Sequence, residues 1–142
     1  MSKIKIGFEI TDIFDNGAFR DVILALQNNP QNLDDRLEAG DIELFLISTN
    51  DSSVHIWRTG ALIGLDTDHI IACATVAVKL ARIESNEIQI FLDDLQSTVI
   101  SIDVDSEYCD GILVDNKQAY DTVNPKWYVT MLGIIKKLLD EL

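Results

Sequence analysis

The chain has 142 residues, 47% of them apolar and 25% charged, with a formal net charge of −13. That balance suits one globular domain, taken as 1–142, and excludes wholesale disorder. The acidic excess argues against a nucleic-acid partner, which needs a Lys/Arg surface. No apolar run approaches the roughly 18 residues of a membrane span, so no membrane association is expected.

The N-terminal segment has neither the long apolar stretch nor the small-residue cleavage site of a secretory signal. Cys73 and Cys109 form no C-x-x-C. Two buried, reduced thiols in a cytoplasmic protein are therefore expected.

Lys3 to Ile10 alternates Ile4, Ile6, Phe8 and Ile10 with Lys5, Gly7 and Glu9, the period of a strand. Phe19, Val22, Ile23 and Leu26 then recur at helical spacing until Asn28, Asn29 and Pro30. A short helical turn over Leu33 to Ala39 is expected, closed by Gly40. Ile42 to Ser48 reads as the second strand. Asn50 and Asp51 suit an N-cap, and Val54, Trp57 and Ala61 predict the inner face of a helix that stops at Gly64. Ile70 to Ala74 predicts a third strand, and Val76, Leu80 and Ile83 the next helix. Ile88 to Leu92 is a fourth strand running into Asp93-Asp94. Ser97 to Val104 is ambiguous: its Val/Ile content favours a strand, but a parallel link to Gly111–Val114 needs a crossover, usually helical. Asn124-Pro125 then opens a closing helix with Trp127, Met131, Ile134, Ile135, Leu138 and Leu142 on its apolar face. Both Trp57 and Trp127 are expected in the core.

Strands alternating with helices predict an α/β three-layer sandwich around a central parallel sheet. Ligands of such sheets bind outside the carboxyl ends of the strands. Those ends carry Glu9-Ile10-Thr11-Asp12, Ser48-Thr49-Asn50 and Asp93-Asp94. Clustered carboxylates repel one another unless a cation sits among them, so Glu9, Asp93 and Asp94 together imply one.

In this order the strand ends resemble the haloacid dehalogenase-like superfamily of phosphohydrolases. Phe8-Glu9-Ile10-Thr11 falls at that family's Asp-x-Asp, Leu46-Ile47-Ser48 at its Ser/Thr, Lys79 (or Arg82) at its Lys/Arg, and Phe91-Leu92-Asp93-Asp94 at its acidic pair. The resemblance covers almost the whole chain, although each motif is short. It implies a Rossmann-like fold, Mg²⁺ held by Glu9, Asp93 and Asp94, and a phosphorylated substrate gripped by Ser48, Thr49 and Lys79. It also places Glu9 and Thr11 at the two catalytic positions. Metal and lysine would neutralise phosphoryl charge there, and hard Mg²⁺ takes carboxylate oxygens.

Two departures bear on the chemistry. Glu9 stands where the family has its nucleophilic Asp, and one extra methylene moves the carboxylate by ~1.5 Å. A misplacement of about 1 Å can cost roughly 100-fold in rate. Thr11 stands where a carboxylate serves as general acid and base, and a hydroxyl does not ionise near neutral pH. Asp12 with Asp15 is an alternative acidic pair, in a shifted register.

Each of these residues has a plainer reading beside it. Asp93-Asp94 can be a turn, Glu9 a solvated strand residue, Ser48 and Thr49 helix caps, and Lys79 an ordinary exposed helix lysine. His55 and His69 lack zinc-like spacing, and the acidic run Asp103, Asp105, Glu107, Asp110 lacks that of a calcium loop. Three functions follow. They are a degenerate family member that binds Mg²⁺ and a phosphorylated ligand with weak or no phosphatase activity; an active Mg²⁺-dependent phosphatase using Glu9 or Asp12; and a non-enzymatic acidic protein that docks a protein partner.

Overall fold

The computed structural model describes residues 4–9, 17–49, 53–114 and 126–141. Its five strands are β1 (Ile4–Phe8), β2 (Ile42–Ser48), β3 (Ile70–Ala72), β4 (Ile90–Asp93) and β5 (Asp110–Leu113). They form one sheet in the order β3-β2-β1-β4-β5, every neighbouring pair parallel. The helices are α1 (Gly17–Asn28), α2 (Ser53–Leu62), α3 (Val76–Ser85), α4 (Gln96–Asp105) and α5 (Lys126–Asp140). The arrangement is α/β, a Rossmann-like sheet with helices on both faces. None of the helices among the described residues is long and apolar enough to cross a membrane.

Alternation along the strands divides the core in two. Ile4, Ile6, Phe8, Leu44, Leu46, Ile90 and Leu92 pack with Phe19, Ile23 and Leu26 of α1, Ile56 of α2 and Ile63 just after it, and Trp127, Met131 and Ile135 of α5. Phe19 meets Phe8 and Trp127 edge-on, with ring centroids 6.5 and 5.3 Å apart. Phe45, Ile47 and Phe91 point the other way, toward Ile83 of α3 and Ile102 of α4. Gly7 lies on this second face, where an added Cβ would stand 2.7 Å from Phe91 Cδ1. A glycine at that point lets the ring lie against the central strand.

Ser97–Val104, left open by the sequence, is helix, because β4 and β5 pair side by side and in parallel and so need a crossover. Thr98, Val99 and Ile102 supply its inner stripe. Trp57 is not core: α2 turns Ile56 and Thr59 inward, with Ile63 just past its end, and leaves Trp57 43% exposed. Gly60 belongs to that inward stripe, since a Cβ there would sit 2.4 Å from Ile70. Two apolar stripes were available in α2, and the one with room for the sheet won. Residues 33–39 form turns rather than helix, preceded by a 3-10 turn at Pro30–Asn32. Gly40 and Gly64 do adopt positive φ, +90° and +78°, at the stops expected of them. Lys5 is accommodated at the amino end of β1, its Nζ donating to the Asn86 carbonyl at 3.2 Å. Lys3, Ile10, the Asn50-Asp51 cap and Asn124-Pro125 lie outside the described residues.

Candidate functional site

The chain order reverses beside β1. β2 and β3 extend the sheet one way, and the connection through α3 returns to place β4 on the other side. Open parallel sheets have their crevice at such a switch, outside the strand carboxyl ends. Phe8 pairs with Leu92 there, and one step further the Glu9 N–H donates to the Leu92 carbonyl at 3.0 Å. Glu9 and Asp93 therefore stand side by side, on the face shared by Gly7 and Phe91.

Lys79 of α3 enters between them. Its Nζ donates to Glu9 Oε1 at 3.2 Å and to Asp93 Oδ2 at 2.5 Å. All three residues are buried, with Lys79 and Asp93 each 1% exposed and Glu9 7%. The exposed reading of Lys79 is thus overturned. Arg82, three residues on, is the exposed one. The helix start that aims Lys79 is fixed by Thr75, whose Oγ1 accepts from the Val78 N–H at 3.2 Å. The ammonium also lies 5.1 Å from the centroid of the Phe91 ring, within cation–π range.

The carboxylates are held from other sides as well. Glu9 Oε1 accepts from the Thr49 N–H at 3.0 Å and from Thr49 Oγ1 at 3.2 Å. Asp93 Oδ1 accepts from the Leu95 N–H at 2.9 Å, closing the turn into α4. β1, β2, β4 and α3 thus each contribute to one charged centre.

Placed against the sequence expectations, Glu9, Thr49, Lys79 and Asp93 come together by direct contact. Asp94 follows as a half-buried residue. Ser48 is fully buried, but strand alternation sets it on the face of Leu44 and Leu46, away from Glu9. Thr11 and Asp12 lie outside the described residues, as does Asp15. Two residues of the centre have no site role in the sequence reading: Phe91 beneath the ammonium and Gly7 beneath the ring. Pairing the i and i+2 positions Gly7/Glu9 with Phe91/Asp93 in register would have revealed both.

A buried ammonium between two buried carboxylates has a definite electrostatic character. Each charge loses water, and only mutual pairing with further hydrogen bonds offsets that loss. The cation that the clustered acids call for is present as Lys79 itself. Among the described residues no group of three or more His, Cys, Asp or Glu side chains could hold a metal ion. Both Asp93 oxygens already accept hydrogen bonds, and Glu9 Oε1 accepts three.

Neither histidine joins the centre. His55 is exposed on α2. His69 sits 2.8 Å from Glu43 Oε1 and against the Phe45 ring. Both cysteines are buried free thiols. Burial pushes the Cys73 thiol up, against the pull of Lys79 and Arg82. Burial, with Asp110, Glu84 and Asp103 nearby, pushes Cys109 up to about 12. Protonated thiols of this kind are poor nucleophiles. Compared with protein-family models, curated proteins and solved structures, the chain matches none.

Proposed function

We propose that this chain is a haloacid dehalogenase-like domain whose phosphoryl-transfer edge has become a charge-closed centre, with weak or no phosphatase activity. One observation carries the reading: Lys79 Nζ bridges Glu9 and Asp93 at the carboxyl ends of the two strands that flank the switch, 3.2 and 2.5 Å away. The family's lysine and its acidic positions are expected at that place. In this chain Glu9, tied to Thr49 and Lys79, replaces the attacking Asp. A carboxylate that accepts three hydrogen bonds on one oxygen is a weak nucleophile as well as a displaced one.

Mg²⁺ and a phosphorylated ligand then meet a site whose charge is already balanced. To bind Glu9 and Asp93, Mg²⁺ has to displace Lys79, and breaking a buried pair costs about 3–5 kcal/mol. That cost weakens Mg²⁺ binding at these two carboxylates relative to the same pair without the lysine.

An Mg²⁺ titration followed by NMR at the Asp93, Asp94 and Leu95 amides, with a phosphatase screen on para-nitrophenyl phosphate, tests the reading. The expected result is no turnover by the wild type and amide shifts only at high millimolar Mg²⁺. Glu9→Asp, which restores the family's residue, should show turnover where the wild type has none. Wild-type turnover that disappears in Glu9→Gln would overturn the proposal and favour the active phosphatase. Micromolar Mg²⁺ binding would overturn the charge-closed centre.

A further inference from the structure

From the carboxyl edge α4 runs back toward the amino ends of the strands, carrying apolar residues on both sides. Thr98, Val99 and Ile102 pack inward, yet Ile100 is 53% and Val104 75% exposed, one helical turn apart on the outer side. Just beyond the helix end, Tyr108 is 73% exposed. It lines a hollow of about 560 Å³ between the end of α4, the amino end of β5 and the last turns of α5, where Ile134 and Leu138 add apolar surface. Around that hollow stand the carboxylates of Asp103, Glu107, Asp110 and Glu141, with Lys137 as the one cation among the described lining residues. Asp103 is held in place by accepting from the Gly111 N–H at 3.1 Å.

We propose that this face docks a protein partner through an apolar helix flanked by lysine or arginine. The apolar side of that helix covers Ile100, Val104 and Tyr108, and its basic side meets the carboxylates of the hollow. Charge decides the occupant. A second copy docked face to face would bring the same carboxylates against one another, and like charges across an interface oppose association. A basic amphipathic helix meets both the apolar stripe and the acidic rim. The hollow lies at the amino ends of the strands and uses none of the residues of the Lys79 centre, so this inference stands or falls independently of the carboxyl-edge reading.

The probe is a synthetic helical peptide with a leucine stripe flanked by lysines, titrated into the labelled full chain and followed by NMR. A leucine/glutamate peptide serves as control. Shifts should concentrate on Ile100 to Asp110 and on the last turn of α5, and binding should weaken with added salt. Val104→Ser and Glu107→Lys, both at exposed positions, should each weaken binding about tenfold. Asp68→Lys, the same charge change at the β3 edge, should leave it nearly unchanged. Equal binding of the glutamate peptide, or wild-type affinity in Val104→Ser and Glu107→Lys, would overturn the proposal. So would a concentration-dependent dimer that excludes the peptide and dissolves in Val104→Ser, which would make a second copy the occupant.

Discussion

The two faces of the sheet are held by different physics. Under α1, α2 and α5 the contacts are apolar, from Phe8 and Phe19 through Trp127 to Ile135. Under α3 and α4 a smaller apolar cluster adjoins a buried ammonium and two buried carboxylates. On the first face stability grows with the area removed from water. On the second, Lys79, Glu9 and Asp93 add little net stability as a set, yet each becomes costly once its partner is gone. Burial alone therefore does not tell a supporting residue from a functional one. A buried charge retained where an apolar side chain would fit invites a functional explanation, and the strand carboxyl edge supplies one.

Substitutions can sharpen or break that contrast. Lys79→Met leaves two buried carboxylates without their cation and should destabilise the fold by about 3–5 kcal/mol. Trp127→Ala on the apolar face should cost a similar 3–5 kcal/mol or so, through lost burial and a cavity. Equal losses with different causes are the useful outcome, and chemical denaturation measures both. A near-neutral Lys79→Met would mean that the carboxylates are not charged neighbours in the folded protein.

Gly7→Ala should destabilise by about 1–3 kcal/mol, because the new methyl group drives the Phe91 ring away from β1. It should also disturb the Lys79 environment above the ring, visible in the side-chain ammonium resonance. The outward Trp57 provides the low end of the scale. Trp57→Ser should change stability by no more than about 0.5 kcal/mol, and a loss comparable to that of Trp127→Ala would return α2 to the orientation first expected of it.

The smallest effect concerns pH. Hydrogen bonds from the Arg36 side chain and backbone N–H hold the Asp34 carboxyl down at about 2, against an ordinary 3.8. A carboxyl lowered in the folded state stabilises above its unfolded value and stops doing so as pH falls through its folded one. The contribution is therefore complete above pH 3.8 and lost toward pH 2. Asp34→Asn should remove that part of the acid dependence. Arg36 faces solvent while the Asp34 side chain is only 10% exposed, and an ion pair with one partner in water is well screened, so the change in an acid-unfolding curve should be slight.

The sequence carries the layout better than it carries orientation. β2 runs over Ile42–Ser48, the bounds read from its apolar run, because a strand covered on both faces is apolar throughout. The convergence of Glu9, Thr49 and Asp93 followed from where the strands end. Lys79 was less legible: Val76, Lys79, Leu80 and Ile83 share a helical spacing, and nothing local says that the lysine turns inward while Val76 stays 40% exposed. Ser48 and Thr49 are adjacent, so strand alternation decided which of them meets Glu9. The Trp57 stripe failed for a related reason, since α2 offers two apolar stripes and only the closeness of Gly60 to Ile70 selects one. What local pattern could not supply was tertiary contact.

The claim that Lys79 is the cation of the site is tested most directly by a double-mutant cycle with Glu9→Gln. Unfolding free energies would be measured for the wild type, Lys79→Met, Glu9→Gln and the pair. If the ammonium neutralises Glu9, removing both charges should cost less than the two single losses added together, with a coupling of about 1–3 kcal/mol. Additive losses would contradict the account.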